Sequence, residues 1–110
     1  METTDLYQEF TEKLKVILPI KAYPIREFIS FLREKGLPLA YDTEFTILEV
    51  MNSGDLLGIM CVAQYDEQSV IVCALTQLII SSSCTMCGEI TEYQKNREER
   101  IIKLNQIKAN

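Results

Sequence analysis

The run Val70-Ile71-Val72-Cys73-Ala74-Leu75 decides the fold of this chain, because it is apolar at every position. Successive side chains of a β-strand point to opposite faces of a sheet, so this run presents apolar groups to both faces. Strands of this kind are covered on both faces. We therefore predict a buried strand over 69–79 and expect other groups to pack on each side of it.

The segments that precede this run predict the rest of the sheet. Residues 56–64 are nearly as apolar, and Asp66 and Glu67 lie where a turn would join the two strands. Residues 43–51 are rich in β-branched and aromatic residues, which favours a third strand, and Asn52-Ser53-Gly54-Asp55 after them is typical of a turn. A short helix is the alternative for this third segment, because four of its residues lie at helical spacing: Glu44, Ile47, Leu48 and Met51.

Three other segments have the apolar periodicity of amphipathic helices. Residues 5–18 place apolar side chains at three- and four-residue steps and stop before Pro19, which blocks continuation of a helix. Residues 24–35 begin with a proline, which suits the first helical position, and a glycine follows them. Residues 88–108 are predicted to form a long C-terminal helix whose charged middle is typical of a solvated face.

Together these segments predict one α+β domain over residues 1–110. It has two N-terminal helices, a three-stranded antiparallel meander and a long C-terminal helix, in the order α-α-β-β-β-α. The two N-terminal helices are expected to pack as a pair, joined by the short linker Ile20-Lys21-Ala22-Tyr23. Because three helices are few for both faces of the sheet, we expect a homodimer or a bound ligand to supply the remaining cover.

Charge limits the partners of this acidic protein. The formal net charge is −5, which opposes binding to the phosphate backbones of nucleic acids. A heptad seam along the predicted C-terminal helix would place Arg97 and Arg100 at core positions, but a coiled coil is not favoured there. A local basic cluster contains Lys95, Arg97, Arg100 and Lys103. Glu98 and Glu99 lie within it and reduce its positive charge, so we do not expect a nucleic-acid partner.

Residue types that are absent or sparse limit the chemistry. The chain has no histidine, which removes the commonest general base near neutral pH and every His-containing metal site.

The N-terminus has no basic stretch followed by an apolar stretch, and no apolar run approaches the length of a membrane span. We therefore expect a cytoplasmic protein, with no signal peptide and no membrane contact, whose four cysteines are reduced.

The motif Cys84-Thr85-Met86-Cys87 is the local pattern that points most directly to chemistry. It follows a predicted strand and precedes a predicted helix, and the positive end of a helix dipole favours the thiolate form of a nearby cysteine. Over about a dozen residues, this arrangement resembles the redox motif of thioredoxin-like proteins, which makes Cys84 and Cys87 redox candidates. The chain departs from that family because no proline follows the motif and tryptophan is absent.

A metal site is the other use of the cysteines. Cys84 and Cys87 can supply two thiolates, and Cys61 and Cys73 can supply two more, for a zinc ion or an iron–sulfur cluster. A three-residue turn around Glu67 would place Cys61 opposite Cys73 on one face, whereas a two-residue turn would offset the pair. The alternative is that all four cysteines are structural, since cysteine behaves as a small hydrophobe.

These observations favour one class of function over two others. We expect a non-enzymatic, homo-oligomeric protein-interaction or regulatory module, because the chain is small and has no convincing catalytic set. In that case the protein holds no cofactor. The first alternative is a thiol-based redox or metal-binding protein centred on Cys84 and Cys87. The second is a small ligand-binding domain with a pocket between helices and sheet.

Overall fold

The computed structural model of the chain describes residues 7–109. Within this range there are four α-helices, a 3₁₀ turn and a five-stranded sheet. The helices are α1 (Gln8–Ile17), α2 (Arg26–Glu34), α3 (Gly54–Leu57) and α4 (Cys87–Ala109). The strands are β1 (Ile20–Pro24), β2 (Phe45–Asn52), β3 (Ile59–Asp66), β4 (Ser69–Ala74) and β5 (Leu78–Ile80), and the 3₁₀ turn is Leu75–Gln77.

The α+β class, the antiparallel pairing and the long C-terminal helix are confirmed. All neighbouring strands are antiparallel, in the order β4-β3-β2-β1-β5. Residues 43–51 form a strand rather than a helix, and α4 extends over the predicted 88–108. The first two residues of the predicted helix 5–18 lie outside the described residues. No helix in residues 7–109 combines the length and apolar character needed to cross a membrane.

The predicted element order α-α-β-β-β-α is wrong at the first connection. The linker after Pro19 is strand β1, which pairs with β2 and β5 and separates the two N-terminal helices along the chain. Its side chains alternate, with Ile20 and Ala22 buried and Lys21 and Tyr23 exposed. Because β1 has only five residues and ends at a proline, its period-two pattern is too short to stand out from a loop.

The predicted strand 69–79 is in fact two strands at opposite edges of the sheet. The 3₁₀ turn Leu75–Gln77 interrupts it, and Gln77 stabilises the break. The Gln77 side chain accepts a hydrogen bond from the Ala74 amide (2.9 Å), and its carbonyl accepts one from the Ile25 amide (2.9 Å). The predicted turn at 52–55 is likewise replaced in part by α3, which delays the start of β3.

The short link between β4 and β5 forces the sheet to curl. In a flat sheet of five strands the two edges would be about 19 Å apart, which is four strand spacings. The four Cα-to-Cα steps from Ala74 to Leu78 span at most about 14 Å. The two edge strands therefore approach each other at this end, and the sheet wraps around the core.

Buried side chains lie on one face of the curled sheet, called here the covered face. Cross-strand partners on it include Ile47 opposite Ala63, and Cys61 opposite Cys73. They join one core cluster with buried side chains of the helices: Leu14 of α1, Phe28, Ile29 and Leu32 of α2, and Ile90 and Tyr93 of α4. The helices therefore contribute to a core on a single face.

A polar clamp holds α4 against α3 and the start of β3. Arg97 has a relative exposure of only 3%, and its guanidinium donates to the carbonyl oxygens of Asp55 and Leu56. The Asp55 carboxylate lies 3.6 Å from Arg97 Nη1 and accepts hydrogen bonds from Arg100 Nη2 (2.5 Å) and Nε (3.3 Å). The charged middle of α4 is thus not wholly a solvated face, because one arginine is buried in it.

Aromatic side chains extend this clamp to α1. The Tyr93 hydroxyl accepts a hydrogen bond from the Ile59 amide (2.9 Å), and burial raises the pKa of that hydroxyl. The Tyr93 ring packs edge-on against Tyr7 at 5.2 Å between centroids and lies 5.5 Å from Phe10. One face of α4 therefore contacts α1, α3 and β3 together.

Gly58 is required where the clamp closes. Its φ is +70°, and an added Cβ would lie 2.6 Å from Tyr93 Oη and 2.8 Å from Arg97 Nε. We predict that Gly58→Ala lowers the free energy of unfolding by about 2 kcal/mol or more, measured by urea denaturation. Gly88→Ala is the control, because a Cβ at this helical position meets no atom within 4 Å. Equal stability of the two variants would contradict this role.

The clamp also predicts how stability depends on pH. Hydrogen bonds from Arg100, together with the charges of Arg100 and Arg97, lower the pKa of Asp55 against the opposing effect of burial. A lowered carboxyl pKa adds stability that is fully present above its ordinary value of about 3.9 and is lost as the pH falls through the folded value. Asp55→Asn should therefore be less stable than the wild type at neutral pH, and the difference should shrink on acidification below about pH 4. A difference in urea midpoint that stays constant down to pH 2 would contradict it.

Candidate interaction surface and cysteine sites

An apolar patch occupies the uncovered face of the sheet, called here the open face. The apolar patch consists of Met51, Met60, Val62, Val70 and Val72. Val62 lies directly opposite Val72, and Met60 opposite Met51, so these side chains form adjacent cross-strand rows. Val70 is 54% exposed and Val72 is 58% exposed, whereas on the covered face of the same strand Cys73 is buried and Ile71 is half-buried. Continuous exposed apolar patches mark interaction sites more often than isolated residues do.

The other half of the open face is mainly polar, although Ile79 of β5 is exposed there, opposite Tyr23. Lys21 lies opposite Thr46, and its ammonium group contacts the Thr46 hydroxyl (3.2 Å) and the Glu44 carboxylate (3.5 Å). Glu44 also accepts a hydrogen bond from the Tyr23 hydroxyl (3.4 Å). These contacts give the strands around β1 a hydrated surface. The apolar patch is therefore confined to β4 and the strands next to it.

The outer edge of β4 is open at Val70 and Val72. The Ala74 amide bonds the Gln77 side chain and not β3, and alternate residues of an antiparallel strand face the same neighbour. Val70 and Val72 therefore also direct their amide and carbonyl groups outward. Among the turn, loop and cap hydrogen bonds within residues 7–109, none engages the backbone amide or carbonyl of Val70 or Val72. The strand itself carries no charge and no proline, two of the features that usually protect an edge.

The opposite edge of the sheet, at β5, is occupied. The Leu78 amide donates to the Leu75 carbonyl, and the Leu78 carbonyl accepts a hydrogen bond from the Gln94 side chain of α4 (2.6 Å). Gln94 also donates to the Leu75 carbonyl (2.8 Å). A cleft of about 560 Å³ lies between β5 and α4, lined by apolar residues such as Ile25 and Ile101 and by polar ones. This cleft is the place in the described chain where the predicted pocket between helices and sheet would lie.

Cys61 and Cys73 lie opposite each other on the covered face, as a three-residue turn would require. The turn itself has two residues, Glu67 and Gln68, but the ladder shifts by one residue between Gln64 and Asp66 and restores the pairing. Burial, and secondarily the neighbouring thiol, raises the pKa of Cys61, and burial raises the pKa of Cys73 to about 11. Both are free cysteines inside the core.

Cys84 and Cys87 lie where the strand–motif–helix pattern predicts. The motif follows β5, and Cys87 is the first residue of α4. The Cys87 amide donates to the Cys84 carbonyl (3.2 Å), and both side chains are half-buried free thiols. In the described part of the chain, no three Cys, Asp or Glu side chains are grouped closely enough to hold a metal ion. The structure therefore brings the cysteines together as pairs and not as a four-thiolate set.

The sequence did not predict the clamp, although its heptad spacing offered a signal. Arg97 and Arg100 recur at the same face of α4 as Ile90 and Tyr93, but arginine is rarely fully buried, so this spacing alone does not predict that either arginine lies in the interior. Both arginines contact Asp55, so neither is a free cation of the predicted basic cluster.

Comparisons of this chain with protein families, with curated proteins and with solved structures found no match.

Thiol labelling separates the two pairs of cysteines. The thiolate is the form that alkylating reagents attack, so a raised pKa and burial both slow the reaction. At about pH 8, we predict that iodoacetamide modifies Cys84 and Cys87 first, and modifies Cys61 and Cys73 only when the protein is unfolded in urea. Mass spectrometry of the labelled peptides measures the order. Early labelling of Cys61 or Cys73 in the folded protein would contradict their placement in the core.

Proposed function

We propose that this protein is a non-enzymatic protein-interaction module that works as a homodimer, with the apolar patch as its contact surface. The single observation that carries the proposal is the exposure of Val70 and Val72 on an unprotected edge strand. The second copy is the occupant that this observation favours, because each copy presents the same apolar rows and the same open edge. A symmetric pair of such surfaces is self-complementary.

The energetics of the patch support association. Burial of apolar surface contributes roughly 25 cal/mol per Å². Removing the valine and methionine side chains of the patch from water in a dimer interface would therefore favour association. Association also costs translational and rotational freedom, and only the surplus appears as affinity. The apolar patch contains five side chains, far fewer than the roughly 20–30 residues a side of a standard interface. We therefore expect a dimer with micromolar affinity.

Replacing Val72 with lysine tests this contact surface. Val72→Lys introduces a charge into the middle of the apolar patch, and it should weaken dimerisation at least about tenfold, since desolvating an unpaired charge is costly. Sedimentation equilibrium over a range of concentrations measures the effect. Val16→Lys is the matched control, because Val16 is 83% exposed on α1, away from the sheet face. A wild type that stays monomeric, or equal affinity of the two variants, would contradict the proposal.

A second candidate function rests on the placement of Cys87 at the start of α4, close to Cys84. The two thiols would act as a redox dithiol: they form one disulfide, lose two electrons and two protons, and reduce a disulfide substrate to two thiols. The reduced protein should then reduce a chromogenic aromatic disulfide and end with a Cys84–Cys87 bond. The Cys84→Ser, Cys87→Ser double variant should not. Formation of stable mixed adducts without that intramolecular bond would exclude this activity.

A further inference from the structure

We propose that two copies of the chain join through their β4 strands, antiparallel, about a two-fold axis that passes beside Ile71. In this register Val70 of each copy lies opposite Val72 of the other. The inference rests on the proposed homodimer and specifies its geometry. Two five-stranded sheets then become one continuous sheet.

Hydrogen bonding determines the register. Val70 and Val72 direct their amide and carbonyl groups outward, and these are the groups that an added strand must meet. When Val70 lies opposite Val72 of the second copy, both residues of each copy exchange amide-to-carbonyl bonds across the two-fold axis. Centring the axis on Val72 instead would place Val70 opposite Ala74, whose amide is already bonded to the Gln77 side chain. The axis beside Ile71 therefore satisfies more of the free groups.

The sheet edges favour two-fold pairing over head-to-tail assembly. A chain of copies would need the β4 edge of one copy to pair with the β5 edge of the next. At β5, however, the amide and carbonyl of Leu78 are occupied by Leu75 and by the Gln94 side chain. The outward groups of Val70 and Val72 are available at β4, whereas those of Leu78 are taken at β5, so pairing of like β4 edges is favoured and closes at two copies.

The side chains also match in this register. Directly opposed residues of antiparallel strands point to the same face, so the valines of both copies lie together on the open face. Ile71, which is half-buried and packs against the core cluster, would meet its symmetry mate on the covered face. The helices of both copies then lie on the same side of the continuous sheet. Their apolar patches merge into one surface that crosses the two-fold axis.

Site-directed disulfides test the register. Opposed residues in a non-hydrogen-bonded antiparallel pair have Cα atoms about 4.5 Å apart, which suits a disulfide. In a Cys84→Ser, Cys87→Ser background, Ile71→Cys should form a covalent dimer under mild oxidation, and peptide mass analysis should find the bond between the two introduced cysteines. Val72→Cys is the control, since in this register its symmetry mate is beyond the roughly 7 Å that a disulfide can bridge.

A mixture of two exposed variants keeps the test decisive if Ile71→Cys folds poorly. Val70→Cys and Val72→Cys chains, mixed and oxidised, should give a heterodisulfide, and neither should self-link efficiently. Self-linking of Val72→Cys would overturn the register. Absence of every cross-link in a protein that sediments as a dimer would overturn the β4 contact and leave the homodimer standing. A protein that sediments as a monomer would overturn the homodimer itself.

Discussion

The core of the described chain lies on one face of the sheet, and the other features of the structure follow from this constraint. Side chains of α1, α2 and α4 meet the covered face in a single cluster. The 3₁₀ turn between β4 and β5 is short, so the sheet wraps around that cluster and does not extend as a flat layer. A chain of 110 residues has material for one modest core. The open face must therefore remain in water or be covered from outside.

Two kinds of contact stabilise the domain. Apolar packing on the covered face supplies most of the burial, whereas the clamp around Arg97 fixes where α4 lies. A buried guanidinium is tolerated there because carbonyl oxygens of α3 and the Asp55 carboxylate accept its hydrogen bonds. Removing one partner of such a group is far more costly than never burying it. The clamp lies in the layer of α4 and leaves the open face free.

Long periodic segments were predicted well from the sequence, and short or strained ones were not. The helices followed from apolar spacing over many residues, and the strand at 43–51 followed from its β-branched and aromatic content. Strand β1 was missed because its alternation lasts only from Ile20 to Pro24, and the break at Leu75–Gln77 was missed because these residues continue an apolar run. The Cys61–Cys73 pairing was predicted for a three-residue turn, but a register shift after Gln64 produces it with a two-residue one.

The apolar run at residues 70–75 predicted part of the candidate interaction surface. Because this run is apolar on both faces of the strand, we expected other groups to pack on both faces. In the structure, side chains of the core cluster pack on one face only. The sequence could not indicate which face stays open, because that depends on where the helices pack. The predicted meander already placed 69–79 at an edge of the sheet, but it could not indicate that the last part of this segment, β5, pairs with β1 at the opposite edge.

Hydrogen exchange at the backbone amides of β4, measured as a function of protein concentration, tests directly whether a second copy pairs with this edge. The outward amides of Val70 and Val72 should exchange quickly in dilute protein and become protected as the concentration rises. The amides of Ile71 and Cys73, which face β3, should be protected at every concentration and serve as the internal reference. Rapid exchange of Val70 and Val72 at all concentrations would contradict the claim that a second copy pairs with this edge.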